Sequence, residues 1–484
     1  MEKHKRLGQT IVTALCIVLM FFGGYFPSVG GLDSLEMHVA GIFIGTMLLW
    51  LCVSTGWPSV LCIVALILSP LYTYQQVLSV SIGGWIASFV LFSSMVAYAL
   101  GQTGYLRRIA VWFITRPVAK RSPWLFLGLF FMGPLVIGAF MSPIPAFMVF
   151  IPIAEQIFKE LGYEKGERLP EMVILSLLAF ASISTLTTPI AHTVPILGFS
   201  LYEKDTGLAI DFVSFTVFGV LTAAVMYLGI MLFLKVVFRP DLSKFRNLDI
   251  DALRKDITPM STQEKYTLGV FMTVVALWML PGIIKPLLPG VAGFINALGT
   301  PTPPMIGVVV LCLLRVDGKP LMDFNEAITK GVPWVAVMMV AATMVLGNAL
   351  THEKVGITKI VVQNLAPFIG GLSPRAFVAI VALLAVLFTN FSSNTVTVTL
   401  IYSVTMPLVL GGAIQGVNPA ALTSVIGASA CVAMATPPST AHAAIAAGTG
   451  WLGTRTMFNH GMMISLICAL VLAFVGYPIA AALM

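Results

Sequence analysis

The residues able to do chemistry in this chain sit where charge is absent. Residues 389–407 read TNFSSNTVTVTLIYSVTMP. Ser, Asn and Thr are strong helix N-caps, and the run after Asn394 is apolar enough to re-enter a membrane. Such a tip holds a helix N-terminus inside the bilayer, where free N–H groups and a partial positive charge suit an anion. The side-chain oxygens of Thr389, Ser393 and Asn394, with nearby carbonyls, suit a hard cation such as sodium. An external turn rich in Ser and Asn is the competing reading, and the apolar, charge-free flanks disfavour it. From Cys431 the chain reads CVAMATPPSTAHAAIAAGTG. Pro437 and Pro438 must break a helix there, and non-helical backbone at membrane depth survives only where it lines a cavity or is buried in protein. Thr436, Ser439 and Thr440 around the prolines favour an unwound binding loop over a simple kink. The segment STLTTPIAHTVPILG, with Thr187, Thr188 and Pro189, repeats the idea, and it would face a second tip at Ser142 in GAFMSPIPAFMVFIPIA. His192 and His442 follow the helix-breaking prolines. They read either as hydrogen-bonded residues of a cavity wall or as pH-sensitive groups that tune anion binding or coupling.

The elements that position these residues must be membrane helices. Of 484 residues, 58% are hydrophobic and 10% charged, against about 25% charged in ordinary soluble domains. No Asp, Glu, Lys or Arg occurs from Ser122 to Ala154, from Met172 to Tyr202, or from Ala376 to Thr454. The six cysteines lie in apolar runs without a C-x-x-C pair and read as buried thiols. The net charge of +7 fits basic cytoplasmic loops better than nucleic-acid binding.

Apolar runs predict eleven spans, near 9–27, 37–53, 56–73, 81–102, 172–198, 211–236, 265–285, 303–315, 332–351, 419–447 and 460–483. Two longer runs, 124–158 and 376–411, are each broken centrally and read as re-entrant hairpins. The first run, 9–27, lacks a cleavage motif and reads as a retained span. With the N-terminus inside, 22 of the 27 basic residues fall on cytoplasmic segments. Lys204, Lys285, Lys354, Lys359 and Arg375 fall outside. This asymmetry favours a cytoplasmic N-terminus, an external C-terminus and hairpins that do not cross.

The halves resemble each other at an offset near 250. Trp85 matches Trp334, ALGQTGYLRRI from Ala99 matches ALTHEKVGITKI from Ala349, Ser142 matches Ser393, and Pro189 matches Pro437. Shared order and offset indicate duplication. Five spans per copy is an odd number, so the copies would be inverted, with the binding site where the breaks meet. The expected fold is an all-α polytopic membrane protein of about eleven transmembrane helices plus two re-entrant hairpins in an inverted repeat. Its parts are an N-terminal span (1–36), a first repeat (37–240), a cytoplasmic linker (241–264) and a second repeat (265–484).

The SNT tip at Ser393, the ATPPS segment and the closing GTGWLGTRTMFNHG resemble the divalent-anion/sodium symporter family, which includes sodium-coupled dicarboxylate transporters. The likeness is specific from Thr389 to Met484 and loose in the first half. It implies di- or tricarboxylate substrates, with sulfate in some branches, sodium as coupling ion, elevator motion and a homodimer. The protein would sit in a bacterial inner membrane. Position by position, it implies substrate contacts at Ser393, Asn394, Thr395, Thr436 and Pro437, and at Ser142, Thr188 and Pro189 in the first half. It implies a sodium site at Thr389, Ser393, Asn394 and Ala435. The first half departs from the pattern: its tip is Ser142-Pro143-Ile144, and Thr187 replaces a glycine.

An intramembrane enzyme would need an acid–base or metal constellation, and the spans hold almost no carboxylates. A passive channel would lack an inverted repeat with two occluding hairpins. Within transporters, the alternatives to sodium symport are a sodium-independent anion exchanger and a proton-coupled anion carrier.

Overall fold

A computed structural model of the protein describes residues 2–28, 31–244, 259–285, 287–350, 352, 354–356 and 371–484. Most of the linker 241–264, Lys359, and Thr351, Glu353 and residues 357–360 of the predicted repeat match lie outside the described residues.

Helices dominate. The first half runs through α1 (Glu2–Phe22), α2 (Ser34–Cys52), α3 (Trp57–Leu68), α4 (Tyr74–Val80), α5 (Trp85–Gly101) and α6 (Tyr105–Ile114). A hairpin follows, α7 (Pro123–Gly138) and α8 (Pro143–Glu160), and then α9 (Arg168–Ser184), α10 (Thr193–Thr206) and α11 (Phe212–Phe233). The second half has α12 (Thr262–Ile284), α13 (Pro289–Ala297), α14 (Thr302–Leu313), the short α15 (Phe324–Glu326) and α16 (Trp334–Leu350). Its hairpin is α17 (Pro374–Thr389) and α18 (Asn394–Leu410), followed by α19 (Pro419–Ala430), α20 (Ala441–Gly448), α21 (Thr454–Val471) and α22 (Tyr477–Leu483).

Both hairpins open with the same start signal. Ser122 caps α7 and Ser373 caps α17, each accepting a backbone N–H, and each is followed by a proline at the first helical position, where its missing N–H costs nothing. Asn418-Pro419 starts α19 in the same way. Each hairpin is followed by a broken span, with extended or turn backbone at 185–192 and at 431–440. Among the described residues, four helices are long and apolar enough to cross a membrane, Ser34–Cys52, Tyr74–Gly101, Phe212–Phe238 and Thr454–Leu483. Two bent pairs, 289–313 and 324–350, would make six. The predicted spans 172–198 and 419–447 are thus each two helices, because the Thr-Pro segments unwind them.

Buried apolar residues form two clusters. One joins α1–α4 with α16, and Val396 of α18 reaches into it. The other surrounds the hairpins and broken spans. The GTGWLGTR segment ties the halves together at one end of this second core. Trp451 packs on Phe158 with ring centroids 4.9 Å apart and donates to Glu155. Glu171 accepts from the Gly453 N–H and the Thr456 hydroxyl.

Candidate functional site

The second hairpin tip builds a buried polar centre. Thr389 ends α17, and its Oγ1 lies 2.9 Å from Asn394 Oδ1 and 2.7 Å from the Ala430 carbonyl oxygen. One hydroxyl proton cannot satisfy both acceptors, so three oxygens converge with a single hydrogen among them. Ser393 precedes α18 in extended conformation and makes no side-chain cap bond. The N–H groups of Asn394, Thr395 and Val396 therefore begin the helix without an intrahelical acceptor or a capping side chain. Ser392 is 9% exposed and its hydroxyl is unpartnered.

Asn390, which the sequence reading passed over, holds the tip against the broken span. It is fully buried. Its Nδ2 donates to the carbonyls of Val386 (2.8 Å) and Val432 (2.9 Å), with Ser465 Oγ at 3.3 Å. Its Oδ1 accepts from the N–H groups of Met434 (2.9 Å) and Ala435 (2.7 Å). An amide with two donors and two acceptor sites thus satisfies backbone that Pro437 and Pro438 leave unpaired. Ala435, a predicted sodium-site residue, is positioned by this bond. The only sequence signal for Asn390 was its place in the TNFSSN cluster, since the broken-span groups it holds, at Val432, Met434 and Ala435, are backbone groups more than forty residues away.

The two halves meet their hairpins alike at one point and differ at another. Thr436 donates its hydroxyl to the Asn390 carbonyl, and Thr188 donates to the Ala139 carbonyl. These threonines sit at matching places after their hairpins, so both Thr-Pro segments are pinned to hairpin tips; each hydroxyl has given its proton, and the Thr188 oxygen also accepts the Ala191 N–H at 3.3 Å. Where the second half has Asn390, the first has Ala139. The first break satisfies itself locally: the Leu186 and Thr187 N–H groups bond to the Ile183 and Ser184 carbonyls, and the Thr187 hydroxyl donates to Ser184. Ser142 is exposed and makes no cap bond, and Pro143 and Pro145 occupy the first and third positions of α8. Pro189 is buried beside Thr188, while Pro437 is half-buried.

His442 is 4% exposed, and its Nε2 lies 2.9 Å from Ser182 Oγ. Ser182 donates to the Ala433 carbonyl at 3.2 Å, so this pair bridges the two broken spans. His192 caps α10, its Nδ1 accepting from the Val194 N–H. Both histidines are hydrogen-bonded within the protein.

A cleft of about 410 Å³ opens beside the second tip. Ser393 and Thr395 form its polar side. The start of α16, the preceding Val332-Pro333, and Thr55 between α2 and α3 line the rest of it. The wall was read from sequence only as part of a span.

Apolar helices around two tip-and-break pairs, one of which holds a buried convergence of oxygens next to Ser393 and Thr395 at a cleft, define a polytopic membrane transporter. The chain belongs to the sodium:sulfate symporter transmembrane region family, whose model matches residues 4–484. A sodium-dependent dicarboxylate transporter of Staphylococcus saprophyticus is 24% identical over 466 residues, covering 90% of this chain and 86% of the relative. The Staphylococcus aureus (strain MRSA252) protein of the same name is 25% identical over 464 residues, covering 91% and 86%. An uncharacterized transporter of Haemophilus influenzae is 22% identical over 355 residues, covering 72% and 71%. Among solved structures, the YdaH transporter of Alcanivorax borkumensis superimposes with TM-score 0.58 at 14% identity, covering 84% of this chain and 88% of that one. MtrF of Neisseria gonorrhoeae gives TM-score 0.53 at 14% identity, covering 98% and 94%. The family and these relatives are transporters, and this protein is a transporter and not an enzyme, as the near absence of carboxylates in its spans led us to expect.

Proposed function

We propose that this protein is a sodium-coupled secondary transporter of small organic carboxylates, with di- and tricarboxylates as the first candidates. The observation that carries the reading is the convergence of Thr389 Oγ1, Asn394 Oδ1 and the Ala430 carbonyl at the root of α18, next to its uncapped N-terminus. Sodium accepts several oxygens at once, and it would relieve the shortage of protons among these three. Ser393 and the Ala435 segment complete the site. A carboxylate then meets the α18 N–H groups, the Thr395 side chain and the Thr436-Pro437 segment, and the adjacent cation adds its own attraction. In the first half, Ser142, Thr188 and Pro189 form a weaker counterpart, so one sodium site at the second tip is well formed and the first is weak or absent.

The two repeats, 37–240 and 265–484, are inverted, after an N-terminal span (1–36). The hairpins and broken spans move as one body against a scaffold of the remaining helices in an elevator cycle, within a homodimer. The membrane is a bacterial inner membrane, with the N-terminus cytoplasmic and the C-terminus outside, as the positive-inside count favours. A proton-coupled second reading would place the proton on His442, which meets Ser182 Oγ between the two broken spans. Uptake of a carboxylate panel into proteoliposomes, with and without an inward sodium gradient, tests the proposal. Uptake indifferent to sodium would favour the exchanger or proton-coupled reading.

A further inference from the structure

We infer that the groove between α12 and α14 binds one anionic phospholipid, with the phosphate at Lys265 and an acyl chain along the groove. Lys265, Gly269, Thr273 and Leu277 follow at four-residue steps and share one face of α12. Pro303, Ile306 and Val310 of α14 line the same slot, which holds about 280 Å³. The helices touch where buried Gly307 lies against α12, so that a carbon added to it would come within 2.8 Å of Val274 Cγ2. Beside this contact the slot is open, and a carbon added to Gly269 meets no atom within 4 Å. The slot faces outward: Tyr266, Ile306 and Leu314, which also line it, are 53%, 47% and 40% exposed.

Length and charge say what fits there. Lys265 and Leu277 are separated by about 18 Å of helix, close to half of a hydrocarbon core of about 30 Å. The slot therefore spans about one leaflet. At about 280 Å³ it is too thin for a helix of about 10–12 Å diameter, and it suits an extended hydrocarbon chain. Lys265 is the one charged residue lining it, and among the described residues Lys265 forms no ion pair. Its neighbour Glu264 is buried and already matched by Arg108 at 3.0 Å. Tyr266 beside Lys265 is the residue type that settles at headgroup level. A soluble anion could meet the ammonium but would leave the apolar walls wet. A lipid phosphate satisfies the charge while its chain covers the walls.

The test is binding of dioleoyl phosphatidylglycerol and dioleoyl phosphatidylcholine to the purified full-length protein in detergent, counted by native mass spectrometry. Phosphatidylglycerol is expected to bind about fivefold more tightly, the scale of one lysine at an anionic membrane surface. Lys265→Gln should remove that preference. Gly269→Leu, which fills the slot without a clash, should weaken both lipids at least about fivefold. Should the leucine variant fold poorly, Thr273→Leu fills the slot from an exposed position one turn along. Equal binding of the two lipids by the parent would overturn the inference. So would a preference that survives Lys265→Gln, or binding indifferent to both filling variants. Glycerol 3-phosphate displacing the lipid would make this a site for soluble phosphate instead. A filling variant that splits an oligomer while leaving lipid binding unchanged would show that a second copy covers the groove, and would overturn the inference too. None of these outcomes bears on the carboxylate site, because no step of the test measures transport.

Discussion

Replacing Asn390 with alanine installs in the second half the residue that the first half already has at Ala139. The first half tolerates alanine because its Leu186 and Thr187 N–H groups turn back on local carbonyls. The second half has no such arrangement at Met434 and Ala435, whose N–H groups go to Asn390 Oδ1, while Val432 accepts from its Nδ2. The substitution therefore strands two donors, the Met434 and Ala435 N–H groups, and removes the donor to two carbonyls, Val386 and Val432, in a buried site. Each stranded group costs roughly 1–3 kcal/mol. Relaxation would recover part of this, and a net loss of about 3 kcal/mol lowers a thermal midpoint by roughly 6–12 °C at the scale known for mid-sized domains. The segment carrying Ala435 would also shift relative to Thr389, so the sodium concentration for half-maximal binding should rise at least about tenfold, equivalent to about 1.4 kcal/mol. Thermal unfolding in detergent and sodium-dependent binding measure the two effects on one preparation. A midpoint within about a degree of the parent, together with unchanged sodium dependence, would refute the assignment of Asn390 as the organiser of the site.

Three further outcomes are expected. Thr389→Val preserves shape but removes the oxygen between Asn394 and Ala430; sodium affinity should fall about tenfold or more, with a folded protein by size-exclusion chromatography. His442→Gln should keep the pH profile of uptake, because an amide can still hydrogen-bond to Ser182 Oγ, whereas His442→Ala should lose roughly 1–3 kcal/mol of stability; a displaced pH profile in the glutamine variant would instead make this histidine a titrating, coupling group. Gly461→Ala places a methyl group 3.0 Å from both the Ala435 Cα and the Met434 carbonyl oxygen, so it should reduce sodium-dependent binding while Gly229→Ala, whose added carbon meets only Ile467 at 3.5 Å, should not.

The parts of this site legible in the sequence were those marked by conflict with their surroundings. Ser393 and Asn394 stood out because polar caps do not belong in a charge-free apolar run, and the structure starts α18 at Asn394. Pro189 and Pro437 stood out because proline cannot continue a membrane helix, and both sit in unwound segments. The departure at Pro143 was also visible, since a missing N–H is a property of residue type alone. What stayed hidden depended on distance. Asn390 looked like one more polar residue in the tip, because its function lies in backbone groups of a segment remote in sequence. The Trp334 wall looked like any apolar span start, because only the fold brings it to the same cleft as Ser393 and Thr395. Hydropathy alone averages 172–198 and 419–447 into single spans, and the prolines within them marked the places where the backbone divides.

The central claim, sodium-coupled carboxylate transport through the second hairpin tip, is tested most directly by uptake into proteoliposomes holding either the parent protein or Asn394→Ala. An inward sodium gradient should drive accumulation of at least one carboxylate by the parent. Potassium in place of sodium should abolish it, and Asn394→Ala should cut the apparent affinity at least about tenfold, as expected from loss of a charge-assisted buried contact. Equal accumulation in sodium and potassium, or a variant that transports as the parent does, would contradict the account.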